Sequence, residues 1–271
     1  MTLSYYLSND IWRFVALISP VQGVPAAVIR SRKSILCVGD LHLGYELELR
    51  ESGFNLPDQL GHVLETLINI DAGEQLFILG DLKHTIPFVS RDELADLSRF
   101  FSSLQERFPS ITIIAGNHDG ALERSLPDEV SFIRSQGLRV GSVGFVHGHG
   151  WPSEDVMRAK TLLWAHLHPS IRMFDRLGAS LSIKCWLRGP VHPEMLKKRY
   201  DGLRVTESVI MPAFNHLLIG TPANENPVSD LSPLTRSGFI ALEEQHAYTL
   251  DGIDLGVLSA LSKPDRRRKA R

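Results

Sequence analysis

The apolar positions of this chain fall into short runs, and the polar residues that close those runs are of one kind. Ile35-Leu-Cys-Val38 leads into Gly39-Asp40-Leu41-His42, and Gln75-Leu-Phe-Ile-Leu79 leads into Gly80-Asp81. Ser110-Ile-Thr-Ile-Ile-Ala115 runs into Gly116-Asn117-His118-Asp119, Ser142-Val-Gly-Phe-Val146 into His147-Gly-His149, and Thr161-Leu-Leu-Trp-Ala165 into His166-Leu-His168. Runs this short, bounded by Gly or Pro, predict buried strands. Helical spacing separates them: a charged, Leu-rich stretch from Glu46 stops at Gly53, a second helix is predicted over Pro57 to Ile70, and a third over Arg91 to Phe108. In that third helix Leu94, Leu97, Phe100, Phe101 and Leu104 form a face that packs on a core.

Upstream, Trp12 to Leu36 reads as strands separated by the turn-rich Ser19 to Pro25 segment. Downstream, the runs lie closer together and few positions are helical. Leu181 to Leu187 and Val209 to Ile219 are predicted strands, and Phe239-Ile-Ala241 and Ala247-Tyr-Thr-Leu250 closing strands. Thr221 to Pro233 reads as a loop, and residues 192–204 as either a helix or an excursion. Strands alternating with helices first, then closely spaced strands, imply a mainly parallel sheet with a more antiparallel one packed on it. One domain over residues 1–262 followed by a basic tail at 263–271 accommodates the pattern.

Composition narrows the classes. With 29 Lys and Arg against 31 Asp and Glu, the net charge of -2 makes no global electrostatic case for nucleic acid, although the tail supplies a local basic patch. Only Cys37 and Cys185 are cysteines, too few for a disulfide framework or a Cys-rich zinc site. The N-terminus lacks the basic region of a secretory signal, and no apolar stretch reaches the roughly 20 residues that span a bilayer, so a cytoplasmic protein is the expectation.

The strand-terminal residues Asp40, His42, Asp81, Asn117, His147, His166 and His168 form a set of carboxylates, imidazoles and one amide. Asp40 and His42, two apart on extended backbone, share a face just beyond a strand end, where open α/β sheets hold ligands. Seven such groups exceed one tetrahedral ion and suit two adjacent divalent cations that share a carboxylate and clamp a phosphoryl group. Nitrogen and oxygen donors together favour Mn, Fe or Zn over Mg or Ca, without ranking those three. His118, beside the amide, is positioned to protonate a leaving oxygen.

The ordered series Gly39-Asp-Leu-His42, Gly80-Asp81, Gly116-Asn-His-Asp119, His147-Gly-His149 and His166-Leu-His168 resembles the calcineurin-like metallophosphoesterases. Asp40-Leu-His-Leu-Gly-Tyr-Glu46, Gly80-Asp-Leu-Lys-His84 and Pro212-Ala-Phe-Asn215 resemble more closely its ICC-like branch, which includes the PdeM phosphoesterases encoded with DNA ligase and helicase genes. The resemblance implies a four-layer α/β/β/α sandwich of two mixed sheets and a two-metal phosphodiesterase, with manganese as the metal and DNA endonuclease activity for the PdeM branch. By motif, Asp40, His42, Asp81 and His168 would hold the first ion, and Asp81, Asn117, His147 and His166 the second. His118 takes the position of the histidine that contacts phosphate. The family usually carries Gly where Ala165 stands. Protein phosphatases of the superfamily continue the second motif as Gly-Asp-x-x-Asp-Arg-Gly, whereas Gly80-Asp81 here continues Leu-Lys-His, so that reading drops.

Several neighbours remain open at this level. His149 could bind phosphate, replace His147 as a ligand or, the preferred reading, orient its neighbour by a hydrogen bond. Asp119 could orient His118 as part of the catalytic pair or begin a helix. Lys83 and His84 either meet a phosphate or face solvent. Trp151 and Trp164 either stack on a base or pack. The function expected is phosphodiester hydrolysis linked to DNA repair, with nucleic acid as substrate, possible association with a DNA helicase or ligase, and a homodimer as one oligomeric option. The alternatives are a phosphoesterase of small soluble esters and, from another class, an interaction module that keeps the fold without catalysis.

Overall fold

The computed structural model describes residues 17–86, 91–175, 177–225 and 231–261, and all statements below concern those residues. The basic tail and the segment around Trp12 lie outside them. The first half builds a six-stranded sheet from β1 (Ile18–Pro20), β2 (Ala27–Ile29), β3 (Ile35–Val38), β4 (Gln75–Leu79), β5 (Ser110–Ile114) and β6 (Val130–Ile133), in that spatial order. Its first three strands meander antiparallel, and β3 to β6 run parallel. The parallel crossovers carry α1 (Tyr45–Glu51), α2 (Leu60–Asn69) and α3 (Arg91–Gln105). In α2 the buried Leu60, Val63, Leu64 and Leu67 recur at helical spacing. The helix starts later than its sequence pattern because Asp58 turns back to accept from the Leu60 N–H at 3.1 Å.

The second half contributes β7 (Leu138–Val140), β8 (Val143–Val146), β9 (Thr161–Trp164), β10 (Pro169–Phe174), β11 (Ser180–Lys184), β12 (Trp186–Pro190), β13 (Glu207–Ile210), β14 (Thr221–Pro222), β15 (His246–Tyr248) and β16 (Asp254–Val257). Seven of these form a mixed sheet in the order β16-β15-β12-β13-β9-β8-β7, and β11-β10-β14 form a small third sheet. The strand predicted over Leu181 to Leu187 is two strands broken at Cys185. The one predicted to reach Ile219 stops at Ile210, because Pro212 has no N–H for a ladder and the following residues bond to the Gly39 loop instead. Phe239-Ile-Ala241 is not a strand but the approach to a 3-10 turn at Leu242–Glu244. Residues 192–204 form an excursion containing only the short 3-10 turn Pro193–Met195.

Alternation along the strands builds the layers. Cys37, Phe77, Leu79 and Ile114 face Phe145, Leu163, Trp186 and Val209 between the two large sheets. Leu36, Val38, Leu76 and Ile78 face Leu67, Leu97, Phe100 and Phe101 of the helices. The far side of the second sheet presents Leu162, Trp164 and Ile210 to Met157, Leu196, Tyr200, Leu234 and Phe239. The sandwich therefore has four layers, but the second outer layer consists of short turns such as α4 (Pro233–Arg236) and α5 (Leu258–Leu261) rather than long helices. No helix among the described residues is long and apolar enough to cross a membrane.

The two large sheets approach closely where the site begins. A methyl built on Gly39 would stand 2.8 Å from the Cβ of Ala165 and 3.3 Å from the Leu79 carbonyl, so the Ala165 methyl occupies space that Gly39 leaves. Gly39→Ala should then destabilise the fold by about 1–3 kcal/mol, the usual range for overpacking a tight core. In an Ala165→Gly background the same substitution should cost at least about 1 kcal/mol less, as contacting sites couple by this amount. Urea unfolding of the four chains measures the coupling, and additive effects would contradict the contact.

Candidate metal centre

The parallel strands β3, β4 and β5 end side by side, as do β8 and β9, and the loops leaving both sheets meet at one edge of the sandwich. The first two loops are tied together by their backbones: Asp40 N–H donates to the Gly80 carbonyl at 3.1 Å, His42 N–H to that of Asp81 at 2.8 Å, and Leu43 N–H to that of Leu82 at 2.8 Å. Here the chain makes its unusual turns. Asp40, His42, Asp81, His166 and His168 have φ of 55°, 42°, 51°, 72° and 44°, and they are the non-glycine residues with positive φ among those described. Such a conformation costs an L side chain on the order of 1 kcal/mol or more, and clusters of it mark functional sites.

The structure brings all seven candidate ligands together in two groups. Ligand atoms of Asp40, His42, Asp81 and His168 lie within 4.8 Å of one another, as do those of Asp81, His147 and His166. In the first group His168 Nε2 stands 3.2 Å from Asp40 Oδ1 and His42 Nε2 3.5 Å from Asp81 Oδ2. In the second, His147 Nε2 is 3.4 Å from the same Asp81 Oδ2, 3.2 Å from Asn117 Oδ1 and 3.1 Å from His166 Nδ1. Donors bound about 2.1 Å from a common ion stand about 3–3.5 Å apart, so the spacing fits cations. Asp40 Oδ1, His42 Nε2 and His168 Nε2 are buried without a hydrogen-bond partner, a costly arrangement unless another charge completes it.

Electrostatics follow from crowding. Burial would raise the Asp40 and Asp81 carboxyls, but His168 and His147 beside Asp40, and His147 and His42 beside Asp81, outweigh it and hold both below the usual range. Burial pushes His42 down to about 3, and burial with the His147 charge pushes His166 down to about 4. His147 goes the other way, to about 9, because Asp81 and Asp40 overcome its burial. Ligand imidazoles must be neutral, so His42 and His166 are ready to coordinate, whereas an ion at His147 displaces a proton.

Two supports hold the loops in place. Glycine is required at 80 and 116, since a methyl at Gly80 would lie 2.4 Å from His147 Nδ1 and one at Gly116 2.1 Å from Asp81 Oδ1. The segment after β13 straps the first loop: Phe214 N–H donates to the Gly39 carbonyl at 2.9 Å, and buried Asn215 donates through Nδ2 to the Leu41 carbonyl at 2.9 Å. Lys184 clamps that strap through the carbonyls of Ala213 and Asn215 at 2.7 and 2.5 Å.

The calcineurin-like phosphoesterase family model matches residues 33–202, well over half of the chain. The chain belongs to the calcineurin-like phosphoesterases. Members of this family use divalent metals, and the Asp and His groups described above are able to bind them; the protein is a metal-dependent phosphoesterase. Among solved structures, a Pseudomonas putida nuclease named MPE shares the fold at 17% identity and a TM-score of 0.54, covering 91% of this chain and 97% of that one. The phosphoesterase YfcE from E. coli aligns at 14% identity over 82% of this chain and 96% of its own, with a TM-score of 0.34. No curated protein matches the sequence.

The phosphoesterase site corrects three expectations. Asp119 does not pair with His118: its carbonyl accepts from the Leu122 N–H at 2.9 Å as the 3-10 turn Leu122–Ser125 begins, but its fully buried carboxylate accepts from the N–H groups of Asp81 at 2.8 Å, Leu82 at 3.0 Å and Gly116 at 2.9 Å, tying two ligand loops together. Lys83 meets no phosphate-facing surface, because its side chain is buried and its ammonium rests on the Thr85 carbonyl. His84 stands between His42 and Glu48, as an outer support of a ligand would, and lines the cavity beside His118. No hydrogen bond joins His149 to His147; the rings approach at 5.2 Å, and burial together with the His147 charge pushes His149 down to about 4. Trp164 is core, donating to Ser208 at 2.8 Å, and Trp151 packs under the Arg199 guanidinium. The support from Asn215 is not announced by its Pro212-Ala-Phe-Asn215 motif, because the carbonyls it reaches, Leu41 and His42, lie more than 170 residues away.

Asp119→Ala should leave three buried N–H groups without an acceptor and destabilise the fold by about 3 kcal/mol or more, since each such group costs roughly 1–3 kcal/mol. Thermal and urea unfolding measure this. Unchanged stability with lost turnover would instead assign Asp119 to the chemistry.

Proposed function

We propose that this phosphoesterase hydrolyses phosphodiesters with two divalent cations, manganese the first choice, and that nucleic acid is its substrate. The observation that carries the reading is Asp81 Oδ2, 3.5 Å from His42 Nε2 and 3.4 Å from His147 Nε2, the position of a carboxylate shared by two ions. Bound cations would supply an activated water and a double clamp on the phosphoryl oxygens. The chain's own groups do the rest. Asp40, His42 and His168 would complete one ion's shell, and Asn117, His147 and His166 the other's.

His118 is the group for the leaving oxygen. Its N–H donates to Asp81 Oδ1 at 2.9 Å, and its Nδ1 donates to the His84 carbonyl, leaving Nε2 to carry the proton that is given up. The motif resemblance to DNA-ligase-associated phosphoesterases supports a nucleic-acid substrate and a role alongside DNA repair enzymes. The fold shared with a protein named as a nuclease supports the same reading. A small soluble diester is the second reading, and one observation favours it: the cavity of about 550 Å³ beside His118 is lined by Glu48 and Glu51, which repel a neighbouring phosphate.

Metal-stripped protein resupplied with Mn should cleave both bis-p-nitrophenyl phosphate and supercoiled plasmid. His118→Ala should keep its metal content while losing about 100- to 10,000-fold in turnover, the contribution of general acid catalysis. Cleavage of the small ester alone would transfer the assignment to soluble diesters. Metal lost together with activity in His118→Ala would remove the acid role.

A further inference from the structure

Glu48 belongs to no motif, yet its carboxylate ends a chain of contacts that reaches the metal centre. Glu48 Oε2 lies 2.6 Å from His84 Nε2, and His84 Nδ1 lies 3.2 Å from His42 Nδ1. The opposite nitrogen of His42, Nε2, is buried without a hydrogen-bond partner and faces Asp81 Oδ2 at 3.5 Å.

The protons along this chain can be assigned in order. An ionised carboxylate only accepts, so the proton in the first contact sits on His84 Nε2. As a ligand His42 keeps its lone pair at Nε2, on the side of the metal centre, and its proton at Nδ1, and His84, with its proton on Nε2, offers Nδ1 as the acceptor 3.2 Å away.

Two of the other ligand histidines are held in the same way by backbone. His147 Nδ1 meets the Leu79 carbonyl at 2.9 Å, and His166 Nε2 meets the Leu231 carbonyl at 3.1 Å. In each, the remote nitrogen finds an acceptor and the other nitrogen turns to the ligand group. For His42 the acceptor is a side-chain relay.

We infer that Glu48 and His84 are positioning residues that fix His42 in the tautomer able to ligate metal. The inference rests on the reading of His42 as a ligand. His84 serves twice, since its carbonyl also orients His118, whose ring stacks on it at 5.5 Å. Glu48 acts through His84 and His42, and the His84 carbonyl through His118.

The test is a comparison of the full chain with Glu48→Met, which removes the acceptor, and Glu48→Gln, which keeps a neutral one. The Glu48 side chain is 61% exposed, so both variants should fold, and circular dichroism checks this. Nitrogen-15 spectra of histidine-labelled, metal-free protein report the His42 tautomer, and calorimetric titration with Mn reports each site's affinity. The wild type should show a protonated Nδ1 and a bare Nε2. Glu48→Met should show mixed tautomers and bind Mn about 10- to 100-fold more weakly at one of two sites, the usual cost of removing an outer support of a ligand. Glu48→Gln should recover most of both.

Equal Mn affinities and an unchanged His42 tautomer in Glu48→Met would overturn the relay. A wild type that binds no Mn would contradict the metal reading instead. The tautomer of metal-free His42 would still decide the relay, since a proton on Nε2 rules it out.

Discussion

The Asp81 carboxylate has to face two groups of imidazoles at once, and the backbone must turn left-handed to let it. With φ of 51°, the residue places Oδ2 between His42 and His147 while Oδ1 accepts from the His118 N–H. An L residue does not hold that conformation unaided. It is held by Asp119, which accepts from the Asp81 N–H, and by the absence of side chains at Gly80 and Gly116, where any Cβ would strike His147 or Asp81 itself.

The rest of the architecture serves that geometry. Two sheets joined by the Cys37, Phe77, Phe145 and Leu163 layer bring the ends of β3, β4, β5, β8 and β9 to one edge, so that ligands remote in sequence converge. Left-handed turns at Asp40, His42, His166 and His168 repeat the device used at Asp81. Asn215 and Lys184 then bind the first loop to the second half of the chain, coupling the site to the packing of the whole sandwich. The metal centre is consequently braced by polar, hydrogen-bonded supports, of which Asp119 and Asn215 are fully buried.

Much of this was legible in the amino-acid sequence because it is local. Apolar runs ending in Asp, Asn or His mark strands whose ends carry donors, and Leu97, Phe100, Phe101 and Leu104 mark a helix face. What was not legible depends on partners far along the chain. Asp119 meets Asp81 and Leu82 across nearly forty residues, Glu48 meets His84 across more than thirty, and nothing in their own neighbourhoods announces it. The short turns of the second outer layer also escaped, because they follow tertiary packing rather than periodicity. The break at Cys185 did too, since the two-residue spacing of Leu181, Ile183, Cys185 and Leu187 continues across it.

The most direct measurement is anomalous diffraction from crystals of the chain grown with manganese. The account predicts two peaks per chain, both within bonding distance of the Asp81 carboxylate, one against Asp40, His42 and His168 and the other against Asn117, His147 and His166. A single ion, or two ions with Asp81 bound to only one, would contradict the shared carboxylate on which the reading stands.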